Sequence, residues 1–211
     1  MSLESVCECS KKIGIFGGSF DPIHNGHLHA AQAFIKELDL DLLLFVPVGE
    51  PFYKPTCTAD FQHRYAMCIL ATENMFLSGV ADTAGKQPGP SYTCDLLENF
   101  SGSEPCSKLF LLIASDVFSR LPSWKGIERI VELATVGVAP RYGEAPADIL
   151  ASSPARELAA KGARIHVIDE HMRDISSTVV RKRVSAGEPI ADLVPEEVEE
   201  YIRANGLYYQ A

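Results

Sequence analysis

The chain has 211 residues, of which 46% are hydrophobic and 22% charged, and its formal net charge is −9. That apolar content suffices for a buried core and excludes wholesale disorder. The acidic balance excludes a partner such as extended nucleic acid, whose binding needs a basic face, but leaves small anionic ligands open because a few placed cations suffice for them.

The first ten residues carry acids and lack the basic start and apolar run of a signal peptide. Residues 1–10 are expected to form a disordered tail and 11–211 a single domain. Short apolar runs predict strands at 13–16, 42–46, 109–113, 135–139 and 164–168. Apolar residues at three and four spacing predict helices over 26–38, 59–77, 92–100 and 154–160. Two closing helices follow at 177–185 and 195–204, the last opening on Pro195 and ending before Asn205-Gly206. Loops are expected at 83–90 and 140–154. Strand alternating with helix implies an α/β protein, a doubly wound and mostly parallel sheet with helices on both faces, binding ligands at the carboxyl ends of its strands. The longest apolar stretches, 42–48 and 109–114, are far short of the roughly 20 residues that span a bilayer, so a cytoplasmic protein without a membrane partner is expected. Cysteines at 7, 9, 57, 68, 94 and 106 are scattered, which fits reduced thiols; Cys7 and Cys9 lack the spacing of common zinc sites.

The first strand runs into Gly17-Gly18-Ser19-Phe20-Asp21-Pro22-Ile23-His24-Asn25-Gly26-His27. A glycine pair after a strand lets backbone approach a ligand, and the helix starting near Gly26 is expected to turn its unpaired N–H groups to the same place. The glycine spacing is not G-x-G-x-x-G, and no Walker-type sequence occurs. His24 and His27, three apart across a helix start, are placed to donate hydrogen bonds to phosphate oxygens. A zinc site formed with His29 is the rival reading, though it lacks the glutamate of His-Glu-x-x-His enzymes. Near the other end stands Ile175-Ser176-Ser177-Thr178-Val179-Val180-Arg181, in a stretch, 173–183, with four basic residues and one acid. The hydroxyls there are read either as helix caps or, with Arg181 one turn on, as a phosphate site.

At these residues the sequence resembles the nucleotidylyltransferase superfamily, whose signatures His-x-Gly-His and Ile-Ser-Ser-Thr-x-x-Arg match His24 to His27 and Ile175 to Arg181. The string 17–28, Gly89-Pro90-Ser91-Tyr92-Thr93, and 193–208 are similar to the bacterial nicotinate mononucleotide adenylyltransferase family. The resemblance implies a Rossmann-like fold. It implies adenylyl transfer from ATP to nicotinate mononucleotide, with Mg²⁺ accompanying the nucleotide and no metal site of the protein's own. It also implies that Gly17, Gly18, Ser19 and Phe20 border the nucleotide, that His24 and His27 contact the ATP phosphates, and that Ser176, Ser177 and Arg181 hold the pyrophosphate end. For the acceptor it implies Tyr92, Thr93 and Trp124 at the pyridine ring, Asp116 at ribose hydroxyls and Lys54 at the mononucleotide phosphate. Trp124 is equally readable as core. The chain departs from the family pattern at Ala114, Leu96 and Pro51-Phe52-Tyr53-Lys54, all toward the acceptor or ribose side. Other phosphate acceptors, and a nucleotide-binding module without catalysis, remain the alternatives. A homo-oligomer is compatible with the sequence.

Overall fold

A computed structural model of the chain describes residues 11–49, 58–82, 92–170 and 172–209. In chain order the elements are β1 (Lys12–Gly18), α1 (Asn25–Leu38), β2 (Leu42–Pro47), α2 (Phe61–Thr72), β3 (Ser78–Val80), α3 (Thr93–Ser103), β4 (Lys108–Ala114) and α4 (Ser115–Phe118). After a 3₁₀ turn at Leu121–Ser123 come α5 (Ile127–Leu133), β5 (Ala134–Ala139), α6 (Pro146–Leu150), α7 (Ser153–Ala160), β6 (Ile165–Val167), α8 (Ser177–Ser185) and α9 (Glu196–Ala204). The strands form one six-stranded sheet in the order β3-β2-β1-β4-β5-β6. Every pairing is parallel. The fold is the expected Rossmann-like, doubly wound α/β architecture.

Period-two alternation sorts each strand's side chains onto two cores. Ile13 and Ile15 of β1, with Leu109, Leu111 and Ile113 of β4, pack with residues of α3, α5 and α7. Phe16 and Leu112 face the other way, onto α1, α2, α8 and α9. Strand order reverses between β1 and β4, and at such a switch point the flanking connections diverge to opposite faces, opening a crevice above the carboxyl ends. The sequence runs after β1 and β4 therefore meet at one place.

Three departures from the sequence reading have local causes. Strand β3 is only three residues, Ser-Gly-Val, too short for a periodic signal, and α2 stops at Thr72 so that Leu77, at φ 58, can turn the chain into it. The expected loop over 140–154 contains α6, opened by Pro146 in its first turn. Cys68 and Cys94 are free thiols but Cys106 is disulfide-bonded, which corrects the expectation of reduced thiols; it lies in the exposed turn between α3 and β4, open to pairing that burial denies Cys68. No helix among the described residues is long and apolar enough to cross a membrane.

Candidate active site

The loop leaving β1 is shaped by Gly18 and Phe20. Phe20 adopts φ 45, a left-handed conformation uncommon for a residue with a side chain, and folds its ring back over Gly18. A Cβ at Gly18 would stand 2.8 Å from that ring, so only glycine fits. The ring itself is buried and meets His27 edge-on, with centroids 5.0 Å apart. Phe20 thus supports an imidazole from behind, and what it offers a ligand is backbone.

Helix α1 opens with a cap made of the two histidines. His24, in extended conformation, is the N-cap, and its Nδ1 accepts from the His27 N–H at 3.3 Å. The His27 Nδ1 accepts in return from the His24 N–H, also at 3.3 Å. The arrangement is a capping box in which imidazoles replace the usual hydroxyl and carboxylate. The rings stack, 3.6 Å between centroids and 20° apart in plane. An imidazole nitrogen that accepts a hydrogen bond carries no proton, so each neutral ring holds its proton on Nε2. Burial, and then the charge of Arg141, lower the His24 pKa to about 3. His24 is a neutral N–H donor throughout the physiological range. Gly26 makes room for it, since a Cβ there would lie 3.1 Å from His24 Cε1 and Nδ1 and 3.5 Å from Ile175.

Two of the α1 amides expected to face an anion are engaged within the protein instead: the Asn25 N–H donates to the Leu193 carbonyl at 2.8 Å and the His27 N–H serves the cap. The imidazoles accept from the His24 and His27 amides through Nδ1 and each still carries a proton on Nε2.

Helix α8 brings the second motif onto the same loop. Ser176 is its N-cap, accepting from the Val179 N–H at 3.3 Å. Ser177 Oγ donates to the Pro22 carbonyl at 2.9 Å, and Arg181 Nη1 donates to the Asp21 carbonyl at 2.6 Å. The two signatures, some 150 residues apart in sequence, are hydrogen-bonded through residues 21 and 22. Asp21 is itself buried, accepting from the Thr58 N–H at 2.8 Å, the Ala59 N–H at 3.1 Å and the Tyr208 hydroxyl at 2.8 Å. Beside it, the buried Arg64 donates to the carbonyls of Ser19 (2.7 Å), Gly49 (2.9 Å) and Ala59 (3.1 Å), tying the loops after β1 and β2 to the start of α2.

Above β4 and β5, Asp116 pairs side-on with Arg141, at 3.2 Å to Nε and 2.9 Å to Nη2. Desolvation pushes the Asp116 carboxyl up, but the hydrogen bonds and charge of Arg141 outweigh it and hold it below the usual carboxylate range. Glu144 accepts from Ser115 Oγ and, at 2.7 Å, from the Arg141 N–H, bracing this loop. Ala114, where the family pattern has glycine, sits at φ −83, so no glycine is needed for its backbone. Thr93 is the first residue of α3; the Tyr92 ring lies under Lys125 Nζ at 3.8 Å, and the adjacent Trp124 is half-buried against the core that β1 and β4 share with α3, α5 and α7. Lys54 lies outside the described residues. Sequence reasoning missed Asp21, Arg64, Arg141 and Tyr208, each of which acts through a partner distant in sequence.

The zinc reading does not fit this geometry. His24 and His27 use their Nδ1 atoms in the cap, and His29 directs Nε2 toward Glu170 at 3.6 Å. Among the described residues the only cluster of potential metal-ligating atoms is Cys94, Asp95 and Glu98 on α3, without a histidine. The carboxylates at the ends of β1 and β4, Asp21 and Asp116, are both engaged, so the loop offers no ready cage for a resident cation.

A cytidylyltransferase-like family profile matches residues 15–183. A protein of Neisseria meningitidis serogroup B named "Probable nicotinate-nucleotide adenylyltransferase" is 38% identical over 204 residues, covering 94% of this chain and 98% of that one. The chain belongs to the nicotinate-nucleotide adenylyltransferase family. A member from Clostridium tetani is 37% identical over 199 residues, covering 94% and 99%. Among solved structures, Plasmodium falciparum nicotinic acid mononucleotide adenylyltransferase complexed with NaAD superposes with a TM-score of 0.76 at 22% identity, covering 94% of this chain and 98% of that one. At that identity the superposition speaks to the fold, a family fold that this chain shares.

Proposed function

We propose that this chain joins nicotinate mononucleotide to the adenylyl group of ATP, taken as MgATP, giving deamido-NAD and pyrophosphate, and that it does so in the cytoplasm. The observation that carries this reading is the reciprocal imidazole cap, which presents two N–H donors and no nucleophile. A phosphate oxygen of the acceptor attacks the α-phosphorus in line, the bond to the β-phosphate oxygen breaks, and pyrophosphate leaves. The attacking oxygen is already anionic, so no base is needed; alignment and charge stabilisation do the work. His24 and His27 donate from Nε2 to the oxygens on which charge accumulates. Arg181, held by the Asp21 carbonyl, keeps further N–H donors for the departing pyrophosphate, beside Ser176 and Ser177.

Gly17, Gly18, Ser19 and Phe20 supply backbone along the nucleotide. Asp116 accepts from a ribose, which requires it to share or release Arg141. Tyr92, Thr93 and Trp124 take the pyridine ring, the indole by stacking, and Lys54 takes the mononucleotide phosphate. Mg²⁺ neutralises triphosphate charge and travels with the substrate. Comparative kinetics with nicotinate and nicotinamide mononucleotides under MgATP test the reading. Dinucleotide formation at least about tenfold more efficient with nicotinate mononucleotide is expected, a difference of the size one discriminating polar contact supplies. No dinucleotide from either acceptor overturns it.

A further inference from the structure

We propose that Tyr208, at the C-terminal end of the described chain, is a positioning residue for Arg181: its hydroxyl holds the Asp21 carboxylate away from the guanidinium and so keeps that cation available to the pyrophosphate end of the nucleotide. The proposal deepens the functional reading above and rests on it for the role of Arg181.

The geometry is that of a restrained ion pair. Arg181 Nη1 lies 2.6 Å from the Asp21 main-chain oxygen but 3.9 Å from its carboxylate Oδ2. A buried carboxylate next to an arginine would normally close to the side-on pair that Asp116 and Arg141 make. Asp21 does not, because its two oxygens are held elsewhere. Oδ2 accepts from the Thr58 N–H and Oδ1 from the Ala59 N–H and the Tyr208 hydroxyl. The two amides belong to the approach to α2 and are fixed by Arg64, which grips the Ala59 carbonyl. Beside these two amides, Tyr208 supplies a side-chain donor to the carboxylate.

Tyr208 is built into that place. Helix α9 ends at Ala204, Gly206 follows at φ 61, and the Leu207 N–H returns to the Ile202 carbonyl at 3.0 Å, a C-terminal cap that fixes the exit of the chain. Tyr208 then takes φ 67, a strained conformation for a residue with a side chain, and is 5% exposed. Strain of this kind persists where surrounding contacts demand it. Burial, and then the Asp21 charge, push the hydroxyl's pKa well up, so it remains a donor. Without it, Oδ1 loses a partner and the carboxylate turns toward Arg181, neutralising the cation that the leaving group needs.

The test is pyrophosphate binding by calorimetry, with Mg²⁺ present, alongside steady-state kinetics. Tyr208→Phe keeps the ring and removes only the hydroxyl. It is expected to weaken pyrophosphate and raise KM for ATP about tenfold, the scale of one charge-assisted hydrogen bond, while KM for the mononucleotide stays within about twofold. In an Asp21→Asn background, where no charge can move onto Arg181, Tyr208→Phe is expected to change either quantity by less than about twofold. Unchanged pyrophosphate affinity in Tyr208→Phe overturns the proposal, as does an undiminished effect in the Asp21→Asn background, which would mark Tyr208 as packing only. Arg181→Ala separates this from the underlying reading: if it leaves pyrophosphate affinity unchanged, the role given to Arg181 falls and the proposal with it.

Discussion

Two helix starts, those of α1 and α8, face the same loop and solve the same problem by different means. At α1 the capping groups are, on the proposed reading, also the chemical groups: His24 and His27 satisfy each other's backbone N–H and keep their own protons on Nε2. At α8 the tasks are divided, with Ser176 capping and Arg181, one turn later, carrying the charge. The first device is buried and neutral at His24, half-buried at His27, and short-ranged. The second is half-exposed, permanently charged and anchored to a carbonyl. Neutral donors suit the atom where charge develops, because they need no counter-ion in a dry place and do not hold the ground state too tightly. A fixed cation suits the pyrophosphate, which is anionic before and after transfer.

The contrast breaks most sharply at His27. His27→Ala removes one donor and one arm of the cap, and turnover is expected to fall about 100- to 1,000-fold in a protein that stays folded. A folded variant within about threefold of wild type would end the assignment. Arg181→Ala comes next, with an expected loss of about 10- to 100-fold in kcat/KM for ATP and most of it in KM. A loss confined to kcat would show that the two helix starts are not divided in this way.

Acid separates the two further. The folded His24 has a pKa of about 3 against 6.5 for an unperturbed histidine. Between these values the unfolded chain binds a proton that the folded chain refuses, so stability falls as pH drops below 6.5, by up to about 1.4 kcal/mol per pH unit for this group. Urea midpoints at pH 7 and pH 5 should show that slope in the wild type and a shallower one in His24→Asn; equal slopes would remove burial of a neutral His24 from the account. The smallest effect is expected from Gly26→Ala, whose methyl presses the His24 ring by a few tenths of an ångström. Turnover should drop severalfold, given that a full ångström of misplacement costs on the order of 100-fold. Pyrophosphate affinity, set at α8, should not follow.

Much of this site was readable in one dimension. The glycine pair, the two histidines and the Ser-Ser-x-x-x-Arg run announce themselves because the parts of each lie within a few residues of one another. Asp21 stood in plain view inside the first motif and gave no sign of its role, since its partners are 37, 38 and 187 residues away. Arg64 falls within the helix expected over 59–77 with no local signal to single it out, and only the convergence of three loop carbonyls makes its burial tolerable. Arg141 lay in a stretch read as loop, and its link to Asp116 depends on β4 and β5 being neighbours.

The sequence by itself determined the alternation of strand and helix, the face each strand residue takes, and the groups able to meet a phosphate, because periodicity, turn chemistry and capping are local. The tertiary structure alone decided that His24 is neutral, that both capping imidazoles accept through Nδ1, that the Asn25 and His27 amides are engaged within the protein, that Asp116 is paired, and that a tyrosine at the far end of the chain donates to Asp21. Protonation and pairing depend on burial and on which charges become neighbours, and those are set by how the chain crosses over the sheet.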